Sequence, residues 1–339
     1  MKRNINLFLI GYKLVSLTFL FALLFAFAGC DKQDDVQPDS DLLAASEDIP
    51  AMLKKGELKG NAPANANVNA QNKPEHKPTF NTLLVALAKT GLTSTVAREH
   101  LTLFAPSDEA FAELGLYPNN IGSVPNLREI LLYHAIEGKV YSTDLTAGYV
   151  PTLNGAAVNI SLNGGVQVND ANVILADARA LNGVIHAIDE VLMPPTMNLV
   201  ELALSFDPEF SILVDAVIRA GLAETLATGG PYTVFAPTNA AFIALLGELG
   251  FASLNDVPVD VLRQILLYHV VEGRVYSTDL STVDVGTVNG DTFYVNTSNL
   301  TLTDTQGRVA NLVPSLLDVQ ATNGVVHVID KVILPNLPS

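Results

Sequence analysis

Residues 131–145 read LLYHAIEGKVYSTDL, and residues 266–280 read LLYHVVEGRVYSTDL. The two stretches agree at twelve of fifteen positions. A long internal repeat has to be settled before any local motif, because it dictates the number of folding units. Three further blocks recur in the same order on either side. FNTLLVALAKTGL (80–92) matches FSILVDAVIRAGL (210–222), TLFAPSDEAFAEL (102–114) matches TVFAPTNAAFIAL (233–245), and NGVIHAIDEVLMP (182–194) matches NGVVHVIDKVILP (323–335). The offset between copies grows from 130 to 141 residues. The second copy therefore carries extra residues in loops, near 247–256 and between 281 and 322. Each copy runs to roughly 120–140 residues, the size of an independent domain rather than of a solenoid repeat.

Local periods give each copy its coarse structure. Phe80, Leu83, Leu84 and Leu87 share one helical face, as do Phe210, Leu213, Val214 and Val217. Gly91 and Gly221 stand where a helix stop belongs. TLFAP and TVFAP read as short buried strands ended by proline, after which Ser107 or Thr238 caps a helix carrying Phe111 or Phe242. Asn126 and Glu129 form a capping pattern ahead of the helix that carries Tyr133 and His134. Further on, AAVNISLNGGVQVNDANVILA alternates and contains Asn-Gly and Gly-Gly turns, a hairpin signature. Helices followed by strands make each unit an α+β domain.

The histidine of the opening stretch falls at i+7 from Leu127 and Leu262, on the apolar face of its helix. His134 and His269 are therefore expected to be structural: buried imidazoles with both nitrogens satisfied. Tyr133 and Tyr268 fall on another face and are expected to be partly exposed. They become the candidate partner contacts, since tyrosine brings large amphipathic area at low entropic cost. In VYSTDL, Asp144 and Asp279 are expected to cap a turn.

The rival is a catalytic or metal site built on His134, His186 and Asp189, with His327 and Asp330 in the second copy. His186 and Asp189 are three apart on a strand, so they point to opposite faces. The chain contains no HExxH, no CxxC and no EF-hand loop. No enzyme, catalytic residue, cofactor or metal is expected.

TLFAPSDEAF with TVFAPTNAAF, the Tyr133-His134 and Tyr268-His269 pairs, and NGVIHAIDEVLMP with NGVVHVIDKVILP, in this order and present twice, resemble the fasciclin (FAS1) domain family over about residues 78–337. The resemblance implies two tandem fasciclin-like domains, each a compact β-sandwich flanked by helices. It implies extracellular adhesion or matrix contact without catalysis. Animal members of the family bind integrins through the Tyr-His region and an Asp-Ile pair before the last block. The matching positions are Asp177-Ala178 and Asp318-Val319, so both aspartates are present and both isoleucines are replaced. The resemblance thus adds Asp177 and Asp318 to the candidate contacts.

The first 29 residues carry Lys2, Arg3 and Lys13, then an apolar run to Phe27, then small residues ahead of Cys30. This is the pattern of an export signal. FAGC resembles a bacterial lipobox, in which the signal is cut before the cysteine and that cysteine carries lipid. Cys30 is the one cysteine of the chain, so it cannot form an internal disulfide. Residues 30–77 are acidic, then rich in Asn, Ala and Pro, and are expected to be a disordered tether with a short helix within DLLAASEDIPAMLKKGEL. The chain carries a formal charge of −16, and removing residues 1–29 deepens it to −19. Such a surface repels nucleic acid and anionic lipid headgroups.

The sequence thus predicts a signal at 1–29, a tether at 30–77, and fasciclin-like domains at 78–196 and 197–337. The expected protein is lipid-anchored and extracytoplasmic, on the outer membrane, cell surface or periplasmic face. Its expected role is contact with extracellular matrix, a cell-surface protein or a polysaccharide. The rival roles are a surface module binding a polysaccharide or small apolar ligand, and a metal-dependent hydrolase.

Overall fold

A computed structural model describes residues 46–56, 58–61 and 77–337. The signal at 1–29, Cys30 and much of the 30–77 tether lie outside the described residues.

In the first domain, strand Leu101–Pro106 pairs in parallel with Gly183–Ile188, with Phe104 opposite His186. All twelve residues are buried, which accounts for the apolar character of both blocks. Ala135–Glu137 extends the sheet on one side, and Ala171–Ala180 on the other. The sheet continues through Gln167–Val168, Ala157–Ser161 and Gly148–Pro151, seven strands in all. Two register shifts in Ala171–Ala180 bend it. The two ends of the sheet then share one core containing Phe104, Val158, Ile160 and Val173. A second core on the other face joins the central strands to the helices Asn81–Lys89, Thr93–Arg98, Asp108–Glu113 and Leu127–Tyr133.

The second domain repeats this order, but its strands form two sheets of four. NVILAD (172–177) in the long strand becomes NLVPSLLD (311–318), two residues longer. The extra residues form a turn at Pro314–Leu316 that splits the strand into Val309–Asn311 and Val319–Ala321. A proline inside the ladder removes a donor, so the strand cannot run on. The family architecture expected from the sequence is present: mixed helices and sheets in two tandem domains, with open rather than closed sheets.

Helix starts follow the expected chemistry in most places. Ser107 Oγ accepts the Ala110 N–H, and Thr238 Oγ1 accepts that of Ala241. The next residue does a second job that sequence reasoning did not find. Asp108 accepts the N–H groups of Asn81 and Thr82 at 3.1 and 2.8 Å, capping the neighbouring helix. Asn239 does the same for Ile212 at 2.9 Å. The capping pattern at Asn126 is corrected: its backbone is left-handed (φ 53°) and its side chain makes no cap bond.

The tether also needs correction. Ile49–Lys55 forms a helix capped by Asp48, and Ile49, Leu53 and Leu58 are buried in the core of the first domain. The Ile49 N–H donates to Asn182 Oδ1 at 3.0 Å, and Asn182 Nδ2 donates to the carbonyls of Val96 and Glu99. In the second domain, Leu199–Ser205 takes this place, with Leu199 N–H donating to Asn323 Oδ1 at 3.0 Å. Gly183 must be glycine because a Cβ would stand 2.0 Å from the Leu101 carbonyl oxygen and 2.8 Å from Ile49. The Asn-Gly pair of the last block is therefore a clip for a first helix. Composition hid that helix in the first copy because an Asn/Pro-rich stretch separates it from Phe80.

Leu53→Ala is expected to cost about 2–4 kcal/mol of stability, as for a fully buried leucine. Urea titration of the full chain measures it, and a loss below 0.5 kcal/mol (roughly the level of a neutral surface change) would mean the helix is not part of the domain.

Candidate functional site

The helix Leu127–Tyr133 ends between two cores. Leu127 and Leu131 pack into the helical core, whereas Tyr133 packs into the sandwich core. Leu262 and Leu266, against Tyr268, repeat the division. Tyr133 is 2% exposed and Tyr268 0%, so the expectation that they are partly exposed contact residues is corrected. Their hydroxyls donate to Ala157 and Thr292 carbonyls, each at 2.8 Å, and so pin a sandwich strand to the helix end.

His134 and His269 cap these helices and are buried. Nδ1–H of His134 donates to the Ile130 carbonyl at 2.7 Å, and Nε2 accepts the Leu192 N–H at 2.9 Å. His269 bonds in the same way to Ile265 (2.8 Å) and Ile333 (3.1 Å). Because Nε2 accepts, both rings must be neutral with the proton on Nδ1. Burial pushes both imidazoles down to about 4, with the backbone carbonyl bond opposing it in part.

Asp177 and Asp318 are also committed internally. Each sits in left-handed backbone, φ 62° and 57°. The Ser142 N–H and Oγ–H donate to Asp177 at 2.7 and 2.6 Å, and Ser277 makes the same two bonds to Asp318. The Asp177 N–H donates to Nδ1 of His186, whose Nε2–H donates to the Val140 carbonyl. Burial pushes the Asp177 carboxyl up, but the Ser142 bonds and His186 outweigh it and hold it below the ordinary carboxylate range. Desolvation likewise lowers His186 and His327. The serine of YSTDL is thus a latch on the Asp. The turn cap expected from the sequence is also present, as Tyr141 N–H to Asp144 at 3.3 Å. The identical repeat of YSTDL was the available signal for the latch.

The residues of the rival hydrolase site are not brought together. Asp189 accepts from Asn172 N–H and Nδ2, and Asp330 from Asn311, away from the histidine partners. Among the described residues, no group of three His, Cys, Asp or Glu side chains is placed to hold a metal ion.

What the motif does support is a contact between the two domains. Ala157 lies two residues before Asn159, whose N–H and carbonyl are taken by Asn169. Gln320 from the second domain donates Nε2–H to the Ala157 carbonyl at 2.8 Å and accepts its N–H at 2.9 Å, as a strand would. The Tyr276 hydroxyl donates to Gln320 Oε1 at 2.8 Å. Its ring stacks on Tyr149 with centroids 4.5 Å apart. Sequence reasoning missed Gln320, and the repeat held no signal for it, since Arg179 occupies that position in the first copy.

Residues 78–194 and 208–335 each match the model of the fasciclin domain. The chain belongs to the fasciclin domain family. Transforming growth factor-beta-induced protein ig-h3 of Sus scrofa is 33% identical over 243 residues, 69% of this chain and 35% of that protein. The chain thus spans about a third of the length of this relative. Protein sll1483 of Synechocystis is 39% identical over 150 residues, 44% of this chain and 79% of its own length. The solved FAS1 domain pair from the insect cell adhesion molecule fasciclin I aligns over 76% of this chain and 96% of its own at 23% identity, with a TM-score of 0.36.

Two measurements test this geometry. The folded pKa of His134 and His269 lies below the unfolded value, so the unfolded chain binds more protons between pH 6.5 and about 4. Their contribution is complete above pH 6.5 and is lost as pH falls through that window, by up to about 3 kcal/mol each. Melting curves from pH 7.5 to 4.5 should fall, and His134→Gln with His269→Gln should flatten the fall; a flat wild-type profile contradicts the burial. Separately, Gln320→Ala removes two hydrogen bonds across the domain contact, leaving Ala157 with the Tyr133 and Tyr276 hydroxyls, and should cost about 1–3 kcal/mol of coupling. Calorimetry should then resolve two transitions where the native pair shows fewer, and an unaltered trace would remove Gln320 from the interface.

Proposed function

We propose that the chain is a non-catalytic, lipid-anchored extracytoplasmic protein that presents a coupled fasciclin pair for adhesion or for binding a matrix or cell-surface component. The observation that carries this reading is the Gln320–Ala157 lock with its Tyr149–Tyr276 stack, which joins the domains before any partner arrives. Pre-ordering removes part of the entropic cost of a broad contact, and two domains on one tether raise avidity. Family membership supports a contact role, and the internal commitment of His134, His186, His269 and His327 supports a structural rather than a catalytic use of these side chains. Cys30 is the proposed point of lipid attachment. The charge of −16 favours neutral or cationic partners over nucleic acid.

The test compares the native chain with Cys30→Ser in fractionated cells and on immobilised matrix protein and polysaccharide. Cys30→Ser should move the folded protein to the soluble fraction while its binding to the coated surface persists. Gln320→Ala with Tyr276→Ala should weaken that binding about tenfold by uncoupling the domains. Retention of Cys30→Ser in the membrane fraction sinks the lipid anchor, and no binding to any coated surface sinks the adhesion reading.

A further inference from the structure

In the first domain, the chain turns back across the sheet after the helix Ile49–Lys55. Leu58 is buried in the core that holds Leu103, Ala178 and Ile185. Asn61 then forms a two-bond antiparallel bridge with Ala176, at 2.8 and 3.0 Å. Gly60 passes so close that a Cβ would stand 2.2 Å from the Ala176 carbonyl oxygen. A short extended segment of this chain thus plugs a groove on its own sheet.

The second domain has the same platform without the plug. Val234, Val319 and Val326 stand where Leu103, Ala178 and Ile185 stand in the first copy. The chain passes directly from helix Leu199–Ser205 to helix Ser211–Arg219, and among the described residues no segment returns over the sheet. Leu103, Ala178 and Ile185 are fully covered, in a core that also holds Leu53 and Leu58, while all three valines stay half-buried. They line an open groove walled by Leu199, Ala203 and Phe206, and every residue lining it is apolar. Beyond Val319, Leu317 is extended (φ −85°, ψ 157°) and precedes the left-handed Asp318, as Ala176 precedes Asp177. Among the described residues, none pairs with the Leu317 N–H or carbonyl.

We propose that this groove is a docking site for an extended, cationic peptide segment of a partner protein. The segment inserts one bulky aliphatic side chain among Val234, Val319 and Val326 and pairs its backbone with Leu317. Residues 58–61 show the chemistry: a leucine knob, a close backbone crossing and a strand-like bridge. That segment is already engaged in the first domain, so the donor for the second comes from elsewhere. Charge complementarity selects it. Glu201, Asp207 and Glu209 are exposed beside the lining residues, and a basic residue next to the knob, like Lys59 beside Leu58, meets them.

The test titrates the synthetic peptide KKGELKGN, residues 54–61, into the full-length chain and follows valine methyl signals by NMR. Saturable shifts are expected at Val234, Val319 and Val326. A peptide with Asp in place of its leucine should bind about tenfold more weakly or not at all. Ala203→Arg, which fills the groove from a half-buried position, should have the same effect with an unchanged melting temperature. If that variant misfolds, Phe206→Ala, which removes one wall, should weaken binding instead. Shifts indifferent to the leucine change, or no saturation, overturn the proposal. So does saturation by dodecanoate but not by peptide, which makes the groove an acyl-chain site. A dimer by light scattering whose groove methyls do not respond also overturns it, because a second copy then fills the site. The assay runs in solution, so its failure leaves the surface-contact reading intact, and the matrix assay fails or succeeds independently of it.

Discussion

Each domain depends on one constraint: a parallel pair of central strands, Leu101–Pro106 with Gly183–Ile188 in the first, where both faces are buried, and Tyr232–Pro237 with Gly324–Ile329 in the second. A parallel pair cannot be closed by a tight turn, so nearly the whole domain is strung between its two members. It also needs a cover on each face, and the helices supply one and the bent sheet the other. The two most recognisable sequence blocks, TLFAP and NGVIHAI, are these two strands. Gly183 and Asn182 set how closely they approach and where the first helix sits against them.

The Tyr-His pair serves the same constraint at the point where the covers meet. The Phe104 N–H donates to the His134 carbonyl, and the His134 ring receives the Leu192 N–H. The histidine thus ties the helix end to the central strand and to the exit of the last one. A buried imidazole with both nitrogens bonded stabilises; the same ring protonated would place two donors where one N–H must be accepted. Tyr133 carries the restraint one layer further, to Ala157, where the second domain docks. The motif therefore reaches the contact between the domains through the strand it positions.

The two copies are not equivalent in use. The face of the second domain that carries Tyr276 and Gln320 docks on a different face of the first, at Tyr149 and Ala157, so the contact is head-to-tail rather than isologous. The matching residues of the first copy are Tyr141 and Arg179, whose guanidinium lies 5.3 Å from the Tyr141 ring instead of reaching a neighbour. The first domain also buries Leu58 against its own sheet, while among the described residues no segment covers the matching surface of the second. Duplication supplied one scaffold twice, and small local changes gave each copy a separate surface.

The sequence by itself determined the repeat, the helix faces, most of the caps and the inward turn of His134, because periodicity and capping act over a few residues. It also carried the α+β class and, through its blocks, the family. It misplaced Tyr133 and Tyr268 because a helical register separates faces but does not say what covers the second one. Here a strand 24 residues further along the chain does, and the helix end is wedged between two cores. It read residues 46–61 as tether because an Asn/Pro-rich stretch cuts them off from the domain they join. The Ser142–Asp177 latch, the Gln320–Ala157 lock and the groove left open by a missing plug were decided only by tertiary structure. Each joins, or leaves apart, groups far separated along the chain, and no local pattern records which distant backbone a side chain will meet.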